Sequence, residues 1–141
     1  MKSFSTTIDI HASLETIWAI LIDVTNWPSW NPTVTKVEGK IALGEKISLY
    51  FKSTPDRTFP LTVSEYVPKE CMVFSGGMPL GLFKGDRTFT LTQKPDGIVV
   101  FSMREVFSGL MAPLITRSIP DLQPSFEEFA AALKTKAEQA L

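Results

Sequence analysis

Between Leu82 and Gly109 the chain alternates apolar and polar residues on either side of Pro95-Asp96-Gly97. Period-two alternation around such a tripeptide predicts two long antiparallel strands joined by a three-residue loop, with Pro95 pre-set for the first turn position and Gly97 free to take positive φ. With Lys94 facing Ile98, the register follows: Leu91 meets Phe101, Phe89 meets Met103 and Arg87 meets Glu105, all on one face. Lys84, Asp86, Thr88, Thr90 and Thr92 fall on the other face of the first strand, towards solvent. The inward face is then a wall of Phe83, Phe89, Leu91, Phe101, Met103 and Phe107, interrupted by one pair of opposite charges.

The same patterning divides the rest of the chain. Ser3 to Ile10 alternates, with Phe4, Thr6, Ile8 and Ile10 on one side, and predicts a first strand. From Leu14 to about Thr25 the spacing of Leu14, Ile17, Trp18, Leu21 and Val24 predicts a helix, with Ser13 as its N-cap and Glu15 favoured by the helix dipole. Trp27-Pro28-Ser29-Trp30-Asn31-Pro32 has two prolines within five residues, so a short helix or turn is the most that forms there. Two readings of its tryptophans stand side by side: the segment plugs one end of a barrel-like sheet, or Trp30 or Trp27 also lines the mouth of a ligand pocket. Strands follow at Val34 to Glu38 and Glu45 to Phe51, then a polar loop over Lys52 to Arg57 containing Thr54-Pro55-Asp56. A further hairpin runs from Phe59 to Val67 and Cys71 to Ser75, where a bulge is allowed for.

Gly76-Gly77-Met78-Pro79-Leu80-Gly81 reads as a mobile apolar rim. It lacks the glycine and lysine spacing of a phosphate loop. After Gly109 the period changes to that of a helix: Leu110, Leu114, Ile115 and Ile119 precede Pro120, and Leu122, Phe126, Phe129, Leu133 and Ala137 mark one face of a long C-terminal helix. A break is expected between Ser118 and Asp121, because a proline removes a backbone donor.

Composition narrows the function classes. At 141 residues and 44% hydrophobic content, one domain spanning residues 1–141 is expected. A net charge of -1 with scattered Lys and Arg gives no footprint for nucleic acid or for stable membrane association. The single Cys71 excludes an internal disulfide, and its strand position reads as a buried free thiol in a reducing, cytoplasmic setting. The first residues lack a basic head followed by an apolar run, and Ile17 to Ile22 falls far short of the roughly 20 residues needed to span a bilayer. His11 stands at a strand-to-helix corner without partners at ligand spacing, so no metal site and no cofactor is expected. No hydrolase pattern of the G-x-S-x-G kind occurs.

The order of elements is strand, long helix, short helix, six strands and long C-terminal helix. With Ile17-Trp18, Trp27-Pro28-Ser29-Trp30-Asn31-Pro32, Gly85-Asp86-Arg87-Thr88-Phe89, Glu105-Val106-Phe107-Ser108-Gly109-Leu110 and Pro124-Ser125-Phe126-Glu127-Glu128-Phe129, the chain resembles the START-related SRPBCC superfamily. More narrowly, it resembles the polyketide cyclase/dehydrase and lipid-transport group. The resemblance covers nearly the whole chain. It implies an α+β helix-grip fold: a seven-stranded curved antiparallel sheet wrapped around the last helix, with two short N-terminal helices. It also implies a hydrophobic cavity between sheet and helix, entered near the glycine loop and the helix break.

The register proposes the lining of that cavity: Trp30, Phe83, Phe89, Leu91, Phe101, Met103 and Phe107, with Leu114, Ser118 and Leu122 from the C-terminal region. Arg87 and Glu105 are the informative pair. Three readings stay open: they neutralise each other inside the barrel, Arg87 holds a carboxylate, phenolate or enolate of a ligand while Glu105 orients it, or both lie in solvent. No catalytic residue is assigned beyond these two candidates. The leading expectation is a monomer or homodimer that binds or carries a small hydrophobic molecule. The alternatives are an aromatase/cyclase-like enzyme and an interaction module of the chaperone-activator type, which would use the outer surface.

Overall fold

The computed structural model describes residues 2–52, 58–118 and 121–139. The loop at Thr54-Pro55-Asp56, the Ile119-Pro120 part of the expected break and the side chain of Ser118 lie outside the described residues.

The hairpin around Pro95-Asp96-Gly97 forms as its turn chemistry dictates. Lys94 N–H donates to the Ile98 carbonyl at 2.8 Å, Gly97 N–H donates to the Lys94 carbonyl at 2.9 Å, and Asp96 Oδ1 accepts from Ile98 N–H at 3.0 Å. Gly97 takes φ 89°, a conformation that costs a residue with a Cβ. The turn places β6 (Phe83–Gln93) opposite β7 (Val99–Ser108) with Leu91 facing Phe101, Phe89 facing Met103 and Arg87 facing Glu105.

Around this hairpin, β1 (Lys2–Ile10), β2 (Val34–Glu38), β3 (Lys46–Phe51), β4 (Phe59–Val67) and β5 (Cys71–Met78) complete a seven-stranded antiparallel sheet of order β1-β7-β6-β5-β4-β3-β2. It curls around α3 (Gln123–Gln139), the helix-grip arrangement of the α+β class. The expected bulge falls between Val63 and Glu65.

The first helix is shorter than its apolar stripe suggested. In α1 (Leu14–Ile22), Ser13 Oγ accepts from Thr16 N–H at 3.1 Å as the N-cap, and a 3-10 helix over Val24–Ser29 then takes over. Trp27 explains the change. Its indole N–H donates to the Leu21 carbonyl at 3.1 Å, satisfying one of the carbonyls a helix leaves unpaired at its end. The ring itself is 1% exposed and packs 5.1 Å from Phe129, 6.0 Å from Phe89 and 6.2 Å from Phe74, centroid to centroid. The segment thus plugs one end of the sheet.

Two further departures have local causes. Gly76 and Gly77 belong to β5, not to a loop: Gly76 pairs with Gly85, Gly77 with Lys84 and Met78 with Phe83. A Cβ at Gly76 would stand 2.7 Å from Leu61 Cδ2, so the glycine lets a side chain of β4 lie across the strand. After Gly109, Pro113 starts only the single turn α2 (Ala112–Ile115), followed by a 3-10 turn over Thr116–Ser118. The apolar residues there do not all face inward, since Leu110 is 83% and Leu114 61% exposed.

Helix α3 is fastened along β1. Gln123 Nε2 donates to the Ser5 carbonyl at 2.8 Å near its start. Near its end Lys134 Nζ donates to the Asp9 carbonyl at 2.8 Å and to Glu138 Oε2 at 2.7 Å, and Glu138 accepts from His11 N–H at 2.9 Å. Lys134 first, and then the His11 amide, hold the Glu138 carboxyl below its ordinary range.

Phe129 is the inner contact of α3, ringed by Trp27, Trp30, Phe89 and Phe101 at 5.1 to 5.9 Å. Phe129→Ala is expected to destabilise the fold by about 3–5 kcal/mol in urea unfolding, the cost of removing a fully packed aromatic ring. A loss below about 1 kcal/mol would show that the rings around it close over the space.

Candidate functional site

Along β6 the inward face changes character. Leu91 and Phe89 are 4% and 0% exposed, whereas Arg87, Gly85 and Phe83 are half-buried. β7 follows it only in part: Val99, Phe101 and Met103 are fully covered and Glu105 is partly open, while Phe107 beyond it is buried again. The sheet is therefore solid under Phe129 and loosens towards the N-terminal end of α3.

At that boundary Arg87 Nη2 donates to Glu105 Oε2 at 2.8 Å, with the two side chains 12% and 14% exposed. The guanidinium lies over the Phe126 ring at 4.9 Å and near the Phe51 ring at 5.8 Å, a cation–π arrangement that suits the flat, weakly hydrated arginine head. One donor stays unused. Arg87 Nε is buried and has no hydrogen-bond partner among the described residues. A buried donor in that state costs about 1–3 kcal/mol, so an acceptor brought to it gains correspondingly.

Beyond the pair, Gly85 faces Gly76 across β5 and β6. A Cβ on Gly85 would reach the Phe107 ring at 3.3 Å and Glu105 Oε1 at 3.9 Å, so the glycine lets the Phe107 ring lie against the strand beside the carboxylate. Phe83 stacks on Phe107 at 5.8 Å, and Phe51 meets Phe59 edge-on at 5.2 Å. Phe51, Phe59, Leu61, Phe83 and Leu122 pack against the core yet keep part of their surface in contact with solvent. This open end of the sheet, apolar walls around one charged pair, is the candidate site.

The structure distributes the sequence-derived residues unevenly. Arg87, Glu105, Phe83, Phe107 and Leu122 lie at the open end. Phe89, Leu91, Phe101 and Met103 point inward as the register requires, but they sit within the packed core: Phe89 is 5.0 Å from Phe74 and Phe101 is 5.9 Å from Phe129, ring to ring. Alternation along a strand says which face a residue takes and not how closely the helix covers it. Leu114 is turned out to solvent because its turn ends after four residues.

Trp30 lines a groove of about 470 Å³, but on the outer side of α3 with Ser29, Pro32, Ala131 and Thr135. A neighbouring groove of about 360 Å³ runs past Pro32, Thr33, Lys52, Ser125 and Glu128. Neither includes Arg87 or Glu105. Phe51, Phe59, Leu61 and Phe126 were missed as site residues, since they come from β3, β4 and α3, whose registers no short turn fixes. The glycine pair marks close approach of the neighbouring Leu61 and Phe107 side chains.

Cys71 is half-buried, and burial first, then Glu65 and Glu70, push its thiol up, which disfavours the nucleophilic thiolate. Among the described residues, no three His, Cys, Asp or Glu side chains come together as metal ligands. No helix of the described residues is long and apolar enough to cross a membrane.

A family model described as polyketide cyclase / dehydrase and lipid transport matches residues 1–138. The chain belongs to this family. No curated protein matches this member of it. Among solved structures, it is similar to a hypothetical protein from Helicobacter pylori, with a TM-score of 0.75, 9% identity, and 96% of this chain and 88% of the other covered. A START superfamily protein from Mycobacterium smegmatis superposes with a TM-score of 0.73 at 18% identity over 99% of both chains. The di-domain ARO/CYC StfQ from the steffimycin biosynthetic pathway gives 0.74 at 15% identity, covering 98% of this family member and 51% of the longer chain. At such identities the likeness is one of fold.

The ion pair gives a stability test. Glu105→Ala leaves a buried guanidinium without its partner and is expected to cost about 3 kcal/mol in urea unfolding. The double variant Arg87→Met with Glu105→Leu is expected to stay within about 1 kcal/mol of wild type, because the desolvation penalty disappears with the charges. Equal losses in the two proteins would show that the pair is not shielded from water.

Proposed function

We propose that the protein binds a small, mostly apolar molecule carrying one anionic or strongly accepting oxygen, held at the open end of the sheet with that oxygen on Arg87. The observation that carries this reading is the half-satisfied arginine: one N–H is committed to Glu105 at 2.8 Å, Nε is buried without a partner among the described residues, and the guanidinium lies between the buried Phe126 ring and the partly exposed Phe51 ring. A carboxylate, phenolate or enolate oxygen fits such a donor, and an aromatic or lipid-like body fits the walls of Phe51, Phe59, Phe83 and Leu122. Covering about 200 Å² of apolar ligand surface at roughly 25 cal/mol per Å² contributes about 5 kcal/mol before ordering costs, enough for micromolar-class binding.

A second reading uses the same pair for catalysis. In an aromatase/cyclase-like reaction, Arg87 would stabilise an enolate oxygen while the walls fold a polyketide chain for ring closure. The family description names both cyclase/dehydrase and lipid transport. Glu105 supports the binding reading over this one, because a proton taken up on either carboxylate oxygen would cancel the charge that offsets Arg87.

Anilinonaphthalene sulfonate, an aromatic body with one anionic group, tests the proposal against a neutral apolar dye such as Nile red. Wild type is expected to bind the anionic dye at micromolar concentration. The Arg87→Met, Glu105→Leu double variant, shown folded by near-ultraviolet circular dichroism, is expected to bind it about tenfold more weakly while keeping the neutral dye, the loss of one charge-assisted contact. Unchanged binding of the anionic dye, or no uptake of either, would sink the proposal. Turnover of a poly-β-ketone surrogate by wild type that falls in both Arg87→Ala and Glu105→Ala would favour the cyclase reading.

A further inference from the structure

Two rings stand over the guanidinium of Arg87, Phe126 at 4.9 Å and Phe51 at 5.8 Å. They differ in freedom. Phe126 is 1% exposed and tilts against Phe4 at 6.2 Å, whereas Phe51 is half-buried at the last position of β3 and meets Phe59 edge-on at 5.2 Å. A ring with one side in solvent changes rotamer without displacing a packed core, which a ring enclosed like Phe126 does not.

The groove of about 360 Å³ borders the same segments. Its walls include Lys52 and Ser125, the chain neighbours of Phe51 and Phe126, with Pro32, Thr33 and Glu128 completing it. Lys52 N–H donates to the Thr33 carbonyl at 3.1 Å, which fixes the backbone of this wall and leaves the Phe51 side chain as its movable part. Lys52 and Glu128 bring opposite charges to the groove, so it carries no charge preference of its own.

Helix α3 is also held unequally on its two sides. Gln123, Lys134 and Glu138 fasten it to β1 and the corner after it, while no side-chain hydrogen bond or ion pair joins α3 to β2 or β3 among the described residues. The groove follows the less fastened side. A path from the β5–β6 tip is longer and filled: Phe83 lies four residues before Arg87 on β6, about 13 Å at 3.3 Å per residue. Between them Leu61 lies against Gly76 and the Phe107 ring against Gly85.

We propose that Phe51 gates Arg87: its ring turns away from the guanidinium, opens a way in from the groove at Thr33, Lys52 and Ser125, and closes again over whatever oxygen has reached Nε. The buried, unpartnered Nε is the reason such a gate is needed, since an acceptor cannot meet it while both rings stay in place. Binding that waits on a conformational step is slower than diffusion allows, so the gate sets the rate of entry. Control of access stands on the positions of the two rings. Its service to an apolar molecule with one anionic oxygen rests on the binding reading above.

Phenylglyoxal, a small uncharged aromatic dicarbonyl that condenses with guanidinium groups, reads access to Arg87 whether or not a ligand binds there. The adducts are followed residue by residue by peptide mass spectrometry on the full chain, with the exposed Arg104 and Arg117 as references. In wild type Arg87 is expected to react about tenfold more slowly than these two, because only the open state reacts. Phe51→Ala is expected to raise the Arg87 rate about tenfold and leave the references unchanged, and Phe83→Ala to move it less than about twofold. Ser125→Trp, at a partly exposed position, sets a ring in the groove and is expected to lower the Arg87 rate and the association rate of anilinonaphthalene sulfonate, each about threefold. An Arg87 rate unchanged in Phe51→Ala, a rise as large in Phe83→Ala, or an undiminished rate in Ser125→Trp would overturn the proposal. Arg87 reactivity that follows Phe51 and Ser125 without dye uptake upholds the gate and removes the binding reading, and dye uptake at a rate that neither substitution moves does the reverse.

Discussion

Antiparallel register in the β6–β7 hairpin decides which side chains α3 can meet. The turn at Lys94 to Ile98 is closed by two backbone hydrogen bonds and an aspartate cap, and a slip of one residue would exchange the whole inward set for Lys84, Asp86 and the threonines. Because the register holds, aromatic rings of β6 and β7 converge on Phe129 from below while Trp27 meets it from the end of the sheet. The position of α3 over the sheet follows from that contact, and its clasps to β1 at Ser5, Asp9 and His11 set its direction.

From this constraint the division of the inward face follows. Where Phe129 seats, the rings approach to between 5.0 and 6.4 Å and leave no surface to solvent. One turn earlier on α3 the helix offers Phe126, whose ring lies over Arg87 and tilts against Phe4 at 6.2 Å. The guanidinium takes the place of a core side chain there, and Glu105 offsets its charge. Two inward glycines in the next row let the Leu61 side chain and the Phe107 ring lie close against the strands. The candidate site is thus a charged pair set among aromatic side chains, beside a part of the core that rings alone complete.

How much of this was legible depended on how local the signal was. Pro95-Asp96-Gly97 fixes one register through a three-residue turn, and Arg87 opposite Glu105 followed from it. The extent of the open space was not legible, because Phe89 and Phe83 look alike on an alternating strand while their burial depends on where a helix some thirty or more residues away is seated. The Gly76-Gly77 pair misled because glycine marks both loops and close strand contacts, and only the presence of Leu61 across β5 tells them apart. Leu114 misled for a related reason: helical spacing predicts a buried stripe only where the helix continues, and here it stops after one turn.

The proposed role of Arg87 is open to either reading for a physical reason. An oxygen whose charge is the same before and after contact gains one charge-assisted hydrogen bond, about 1.5–3 kcal/mol, which is affinity. An oxygen that becomes more negative along a reaction gains more at the transition state than at the start, and only that difference accelerates it. The donor is identical in the two cases, so the distinction rests on whether a base stands ready for the proton that ring closure releases. With Glu105 Oε2 held at 2.8 Å by the same guanidinium, taking up that proton would remove the charge of the ion pair and leave Arg87 uncompensated between Phe51 and Phe126. That cost falls on the catalytic route and not on binding, which leaves the pair intact.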